Sequence, residues 1–262
     1  MADLVDRARA AMSDRAEQLP GMTLMEHLDE LRKRLIRSVI YLLVGFGIAY
    51  VFREQLFGII SKPIDDLHLP LNYTHPTDGL NLYLKTSLVG GAILASPFIL
   101  YQLWLFISPG MYAKEKRYVV PFMTATVTLF LSGVRFGYHW VLPGALRVLI
   151  TDFAKRFHPI ITIEDYSSFF LAVILGLGVT FELPILIFFL SILGIVDAKF
   201  LIRHVRYAIL IIFVIAAIIC PLPDPVSMCL FAAPMLALYM VGVGVAWVFN
   251  PSRRKQGEAK PA

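Results

Sequence analysis

Long apolar stretches without charged residues alternate with short polar links along this chain. Six such stretches lie at approximately residues 35–52, 82–107, 118–142, 166–193, 205–219 and 226–249. A helix needs about 20 mostly apolar residues to cross the hydrocarbon core of a bilayer. The alternating pattern of a β-barrel is absent from the sequence, and every amide in lipid must be paired within its own segment. The pattern therefore predicts an all-α integral membrane protein with six transmembrane helices.

The fifth stretch is shorter than the others. About 14 apolar residues precede Pro221, which corresponds to roughly 21 Å of helix. The next five residues, Pro221 to Pro225, contain three prolines, which favour a stiff corner over a continuous helix. We therefore predict a short fifth helix and a tight turn that holds Asp224.

The composition supports a membrane location. The 262 residues are 58% hydrophobic and 16% charged, and the mean hydropathy is +0.70. These values exclude a water-soluble globule and a disordered chain. The net charge of +5 does not indicate nucleic acid, because the basic residues lie between the apolar stretches rather than in one patch. The cysteines and histidines lack metal-ligand spacing, so the sequence predicts neither an enzyme nor a cofactor.

The distribution of lysine and arginine predicts the orientation. If the N-terminus is cytoplasmic, sixteen basic residues fall on the cytoplasmic side and five on the outer side. This positive-inside bias places both termini in the cytoplasm. We therefore divide the chain into a cytoplasmic tail over residues 1–22, a single membrane domain over residues 23–250 and a second cytoplasmic tail over residues 251–262.

A charged amphipathic segment precedes the first apolar stretch. Thr23 and Glu26 form a capping box, and leucines at 24, 28, 31 and 35 fall on one helical face. We expect a helix that lies on the inner leaflet and runs into the first span. Glu30 and Arg34 are four residues apart, a spacing typical of a solvated ion pair. A second polar cluster, Tyr112 to Arg117, holds Glu115 among three bases and is typical of a solvated loop.

Glu182 lies deep within the fourth apolar stretch. An ionised carboxylate at that depth costs at least about 2.5–3.5 kcal/mol, so the residue is a functional candidate. Either it stays protonated and bonds a neighbouring helix, or it faces a wet cavity. Pro184 predicts a kink nearby. Two further features are local: Gly133 and Gly137 indicate close helix packing, and Lys85 is placed to reach the membrane interface.

Several motifs together resemble one family. They are His27 to Arg34, Ser96 to Trp104, Phe106 to Tyr112 with Glu115, Phe181 to Pro184, and the proline-rich corner at Asp224. In this order they resemble the TatC family of the bacterial twin-arginine protein translocase, and the similarity runs from about Leu24 to Phe249. The resemblance implies a concave, glove-like bundle of six helices in which the last two are short.

The resemblance also implies a function. A TatC-like chain is expected to be a receptor in the cytoplasmic membrane for the twin-arginine signal peptides of folded exported proteins. It is expected to form oligomers and to work with the single-span partners TatA and TatB, driven by the proton-motive force.

Site residues follow from the resemblance by position. Glu30 and Glu115 match the two carboxylates that recognise the paired arginines. The residues that accompany them in the matching motifs are Arg32, Arg34, Gln102, Phe106, Pro109 and Tyr112. Pro63 matches a proline of the first outer link, Glu182 the intramembrane acid and Asp224 the acid of the outer corner. Met228 departs from the family, which often has a glutamine there.

The chemistry is compatible with this function, although other functions stay open. A carboxylate can bind a guanidinium in a bidentate fork that lysine cannot reproduce. The first alternative is a proton-coupled secondary transporter that uses Glu182, but such proteins usually show repeats and several polar groups at mid-depth. The second is a structural scaffold, in which Glu30 and Glu115 would be dispensable.

Overall fold

The computed structural model describes residues 24–107, 119–152, 160–192, 195–219 and 225–248. Helices dominate all five ranges. The elements are α1 (Leu24–Val51), α2 (Arg53–Asp65), β1 (Leu71–Asn72), α3 (Asp78–Ile107), α4 (Val119–Phe136), α5 (Leu142–Arg147), β2 (Ile161–Thr162), α6 (Ile163–Thr180), α7 (Leu183–Ile192), α8 (Ala198–Arg203), α9 (Val205–Ile219) and α10 (Pro225–Val248).

Four helical segments of the described ranges are long and apolar enough to cross a membrane. They are Met25–Val51, Asp78–Phe106, Ile163–Ser191 and Met228–Trp247. Helix α9 has 15 residues, which confirms the short fifth helix. The expectation of a short sixth helix is wrong, because α10 has 24 residues, or about 36 Å. Pro225 suits a helix start, where no amide bond is lost, and apolar residues continue to Val248.

Helix α1 joins the amphipathic segment and the first span, as predicted. It is continuous over 28 residues, while the capping residue Thr23 lies outside the described residues. Its apolar half crosses α3 at two glycines. A Cβ atom on Gly45 would lie 2.5 Å from the carbonyl oxygen of Gly91, and one on Gly91 would lie 2.4 Å from the amide nitrogen of Phe46. The two backbones therefore touch at a crossing that admits no side chain.

The fourth apolar stretch contains a break. Helix α6 ends at Thr180, a turn covers Phe181 and Glu182, and α7 starts at Leu183. The predicted interruption near Pro184 is therefore present, because Pro184 has no amide hydrogen to donate to the Thr180 carbonyl. The predicted packing of Gly133 is also confirmed, since a Cβ atom there would lie 2.7 Å from the Leu177 carbonyl oxygen in α6.

Helix α2 identifies one side of the molecule, which we call the α2 side. The expected first outer link contains this helix. Two π-helical turns, Gly137–Val141 and Val148–Asp152, continue α4 and α5, so the third helical stretch runs past residue 142 into the second outer link, which also contains β2. The two links then pair through β1 and β2, which run parallel with Leu71 opposite Ile161. A two-residue ladder has no periodicity that a sequence pattern could show.

Helix α2 is attached to the membrane helices by two tyrosine hydroxyl groups. Tyr138 donates to the Ile59 carbonyl at 3.0 Å, and Tyr166 donates to the Ile60 carbonyl at 2.6 Å. Pro63 lies in α2 and lacks the amide that would normally bond the Ile59 carbonyl. The Tyr138 hydroxyl therefore takes the place of the missing amide.

The core is centred on α6. Its buried side chains include Phe169, Val173 and Leu177, and Phe169 meets Phe231 of α10 edge to face. At the start of α6, Glu164 forms an ion pair with Lys85 of α3, and Ser168 accepts a hydrogen bond from the same ammonium group at 3.2 Å. The Lys85 side chain, for which we predict a position at the membrane interface, is thus held by protein groups of α6.

Candidate functional site

A polar network joins α1 and α3 near the first turns of α1. Arg34 donates from Nη2 to Oε1 of Glu30 at 3.0 Å and from Nη1 to Oε1 of Gln102 at 3.1 Å. The Arg34 and Glu30 side chains are only 20% and 17% exposed, and Gln102 is buried. The spacing had suggested a solvated pair, which is wrong here, because the neighbouring helix α3 shields both charges from water.

The second oxygen of Glu30 is unused by the described residues. Oε2 is buried and has no hydrogen-bond partner in the described part of the chain. A buried carboxylate oxygen without a donor carries a desolvation cost that an incoming donor removes. Arg34 thus fixes the carboxylate through Oε1 and leaves Oε2 able to accept.

Aromatic rings form the wall beside this network. The ring of His27 stacks on Phe106, with centroids 4.5 Å apart and planes 21° apart. Trp104 is buried, and its Nε1 donates to Oγ1 of Thr126 in α4 at 3.0 Å. These contacts join α1, α3 and α4 around Gln102.

The Ser96–Pro97 pair shapes α3 below the network. Pro97 lacks the amide that would bond the Ile93 carbonyl, and the Ser96 hydroxyl donates to that carbonyl at 2.7 Å instead. The motif from Ser96 to Trp104 is therefore partly structural, since its serine satisfies a carbonyl that the proline leaves unpaired in the helix that carries Gln102 and Trp104.

Other predicted residues lie apart from this network or outside the described residues. Arg32 is exposed on α1, where neighbouring Asp29 instead pairs with Lys33 at 2.8 Å. Pro63 lies in α2, and half-buried Met228 lies in the first turn of α10. Four candidates fall outside the described residues, namely Pro109, Tyr112, Glu115 and Asp224.

Glu182 occupies the turn between α6 and α7. Its Oε1 is buried and has no partner among the described residues. Its backbone amide donates to the Val179 carbonyl at 3.0 Å. The sequence left two alternatives for Glu182, a hydrogen bond to a neighbouring helix or a wet cavity. Within the described part of the chain, the hydrogen bond to a neighbouring helix is not present.

The sequence patterns missed three features of this region. These are the His27–Phe106 stack, the Trp104–Thr126 bond and the Gly45–Gly91 crossing. Adjacent glycines at 90 and 91 inside an apolar stretch were a usable signal, because small residues mark close helix contacts in membranes. No sequence pattern indicates the two side-chain contacts.

Comparison with known proteins decides the family. The family model described as TatC, Sec-independent protein translocase protein, matches residues 26–234. The chain belongs to the TatC family. A TatC protein of Koribacter versatilis is 49% identical over 97% of this chain and 95% of its own length. A TatC protein of Aquifex aeolicus is 40% identical over 85% of this chain and 93% of its own length.

A solved structure shows the same TatC fold. The crystal structure of the twin-arginine translocase receptor TatC superimposes with a TM-score of 0.78 at 39% identity. It covers 84% of this chain and 98% of its own. The protein is therefore a multi-pass TatC receptor component of the twin-arginine translocase in the cytoplasmic membrane, and it is not an enzyme. The transporter alternative for its function is wrong.

Proposed function

We propose that Glu30, together with Glu115, binds the paired arginines of a twin-arginine signal peptide. The observation that supports this role is the unpaired Oε2 of Glu30, next to the oxygen that Arg34 holds. Arg34 and Gln102 act as positioning residues, because together they fix the carboxylate on α1 against α3. Phe106, Tyr112 and Pro109 belong to the same motif and form part of the proposed surface.

The charges explain why two carboxylates are needed. Glu30 and Arg34 form a pair without net charge, so Glu30 attracts a cation mainly through its free oxygen rather than through long-range attraction. Glu115 supplies the second acceptor and the negative charge. A guanidinium binds a carboxylate oxygen through directed, charge-assisted hydrogen bonds, whereas an ammonium binds as a point charge. Twin arginines are thus selected over twin lysines.

Signal-peptide binding by paired alanine variants tests this proposal. We expect Glu30→Ala to weaken the binding of a twin-arginine peptide by about tenfold or more, since a charge-assisted hydrogen bond contributes roughly 1.5–3 kcal/mol. Asp29→Ala is the matched control, because Asp29 is the neighbouring acid, exposed and paired with Lys33. Its affinity should stay near that of the wild type. Binding is measured by photocrosslinking of the peptide in membranes.

Two further measurements separate recognition from a merely structural role. Glu115→Arg should abolish binding through like-charge repulsion, and salt should weaken the wild-type complex. A Glu30→Ala variant that crosslinks as well as Asp29→Ala would overturn the proposal and favour the scaffold hypothesis.

We also propose that Glu182 contacts a polar residue on the single transmembrane helix of a TatA or TatB partner. The supporting observation is its buried Oε1, for which the described residues supply no partner. Asp224 and Met228 are proposed to lie at the same kind of partner contact. Met228 offers only a weak acceptor in its thioether, so the contact there is mainly apolar.

The proposed topology has six crossings with both termini in the cytoplasm. Helices α1, α3, α4, α6–α7, α9 and α10 provide the crossings, and α2 with the β1–β2 pair lies outside. The support is the excess of basic residues on the proposed cytoplasmic side. Several copies of the chain are proposed to assemble with TatA and TatB during export.

A further inference from the structure

An apolar cavity of about 160 Å³ lies directly beneath α2. It is lined by α2, α3, α4, α6 and the helical segment around Tyr138, and it is open on one side. Its wall includes Ile59, Ile60, Thr86, Ile93, Tyr138 and Phe170. At the rim, Ile59 is 51% exposed, so the cavity communicates with the surroundings of the protein.

Water is a poor occupant of this cavity. Its two polar side chains are already engaged: the Thr86 hydroxyl donates to the Leu82 carbonyl, and the Tyr138 hydroxyl donates to the Ile59 carbonyl. A buried water needs two to four polar partners, whereas an apolar cavity of this size stays dry and accepts a small hydrocarbon. The volume suits roughly six carbons of a chain, by comparison with benzene in a cavity of about 150 Å³.

The residue types around the cavity indicate a position close to a membrane interface. Trp140, two residues beyond Tyr138, is 73% exposed, and tryptophan and tyrosine favour the level of the lipid headgroups. The Lys85–Glu164 ion pair adjoins Thr86 at the same level. A hydrocarbon chain that enters here therefore belongs to a molecule whose polar end lies at the interface.

Arg53 provides a cation at that level. Its guanidinium lies 5.2 Å from the ring centre of Tyr50 and 5.9 Å from that of Tyr83. It donates one long hydrogen bond of 3.4 Å, to the Tyr50 carbonyl, and no carboxylate pairs with it in the described part of the chain. Its remaining N–H groups can therefore bind phosphate oxygens.

Helix α2 aligns this cation with the cavity. Arg53 and Ile60 are seven residues apart, with Leu56 between them, so all three share one helical face. On α3, Tyr83 precedes the cavity residue Thr86 by one turn. The guanidinium and the cavity thus follow each other along one groove between α2 and α3.

We propose that this groove binds a single phospholipid on the α2 side of the membrane. Part of one acyl chain fills the cavity, and the phosphate contacts Arg53. Transfer from the bilayer into the protein gives the chain no hydrophobic gain, because lipid is equally apolar. The binding free energy comes from close packing in the cavity and from the charge-assisted phosphate contact. The lipid would attach α2 to α3 and α6 alongside the two tyrosine hydrogen bonds.

Native mass spectrometry of the delipidated full-length protein tests the proposal. The probe is dipalmitoyl phosphatidylglycerol, added in detergent, and we expect one lipid per chain to bind. Arg53→Gln and Ile93→Phe should each weaken binding about tenfold, by removal of a charge-assisted contact and by filling of the cavity respectively. Ile93→Ala enlarges the cavity and should retain the lipid, which separates loss of the site from loss of the fold.

Matched controls come from the same level of the protein. Arg135 and Leu131 are exposed on α4 and do not line the cavity, so Arg135→Gln and Leu131→Phe should bind the lipid as the wild type does. Equal binding by all five variants would overturn the site. Binding by Ile93→Phe as strong as by Ile93→Ala would overturn the acyl-chain position, and undiminished binding by Arg53→Gln would overturn the phosphate contact.

Discussion

Buried acceptors without a donor in the described part of the chain occur at two acids that we propose to bind other molecules, and also at Glu164. Glu30 and Glu182 each have a buried carboxylate oxygen without a partner in the described part of the chain. Such an oxygen is costly within one chain but becomes favourable when a second molecule supplies the donor. The same rule explains the hydroxyl groups of Ser96 and Tyr138, which satisfy carbonyls that proline leaves unpaired.

Glu182 variants should separate hydrogen bonding from proton transfer. Glu182→Gln keeps a donor and an acceptor, so we expect largely intact export and partner assembly. Glu182→Ala leaves the partner's polar group unpaired in lipid and should weaken assembly by about 1–2 kcal/mol. Export assays and partner co-purification measure the two effects. Loss of export by the glutamine variant with normal assembly would instead indicate that this residue must titrate.

The Tyr138 hydroxyl should be coupled energetically to Pro63. We expect Tyr138→Phe to destabilise the protein by about 1–2 kcal/mol, because the Ile59 carbonyl loses its donor. In a Pro63→Ala background the new amide can bond that carbonyl, so the same change should cost less. Thermal unfolding in detergent measures both, with the exposed Tyr101→Phe as control. Equal costs in the two backgrounds would contradict the coupling.

At the scale of elements, helix contacts are set by small residues and by proline. The α1–α3 crossing depends on Gly45 and Gly91, and α4 meets α6 at Gly133. Close backbone approach is the usual basis of helix association in lipid, where no hydrophobic force drives helices together. The α1–α3 crossing in turn supports the Arg34–Gln102 bond between the same two helices.

Closing the glycine crossing should damage the fold. We expect Gly91→Ala to destabilise the protein by roughly 1–3 kcal/mol, because the added Cβ meets backbone atoms that cannot move aside. Gly47→Ala in α1 is the matched control, since no atom lies within 4 Å of its added Cβ. It should be neutral or stabilising by about 0.5–1 kcal/mol through helix propensity. Similar melting temperatures for both variants would show that the crossing is not tight.

At the scale of the whole molecule, the two ends of α1 carry different features. The Glu30 network lies at the start of α1, whereas α2, the β1–β2 pair and the tyrosine bonds lie at its other end. The proposed receptor site at Glu30 is therefore separated from the α2 side by the length of α1.

Reporter fusions should reveal the orientation. Fusions between Ser108 and Lys116 and after Asn250 are expected in the cytoplasm, and fusions at Pro70 or Ile160 outside, because of the charge bias. Alkaline phosphatase and green fluorescent protein activities report the two sides. An odd number of crossings between Arg34 and Asn250 would rule out the six-helix topology.

The sequence by itself was enough to show that the protein lies in a lipid membrane and that it is helical. It also showed the short helix before the proline-rich corner and the family. Each of these conclusions depends on residues that are close together in the sequence. The length of an apolar stretch decides whether a helix can span lipid, and proline decides where a helix stops. The family was evident from motifs such as the contiguous segment from His27 to Arg34. The apolar stretch at 226–249 agrees with the bounds of α10, whereas the short last helix that the resemblance implied is wrong, because Pro225 starts a helix of 24 residues.

Only the tertiary structure decided how the polar groups are used. Two contacts join residues that are distant in sequence, namely the bond from Arg34 to Gln102 and the Lys85–Glu164 ion pair. The burial of Glu30 and Arg34 depends on shielding by another helix. The bond from Tyr138 to Ile59 and the cavity beneath α2 also require several elements at once. Periodicity reports which face of a helix is apolar, whereas the partner of a polar atom depends on which helices pack together.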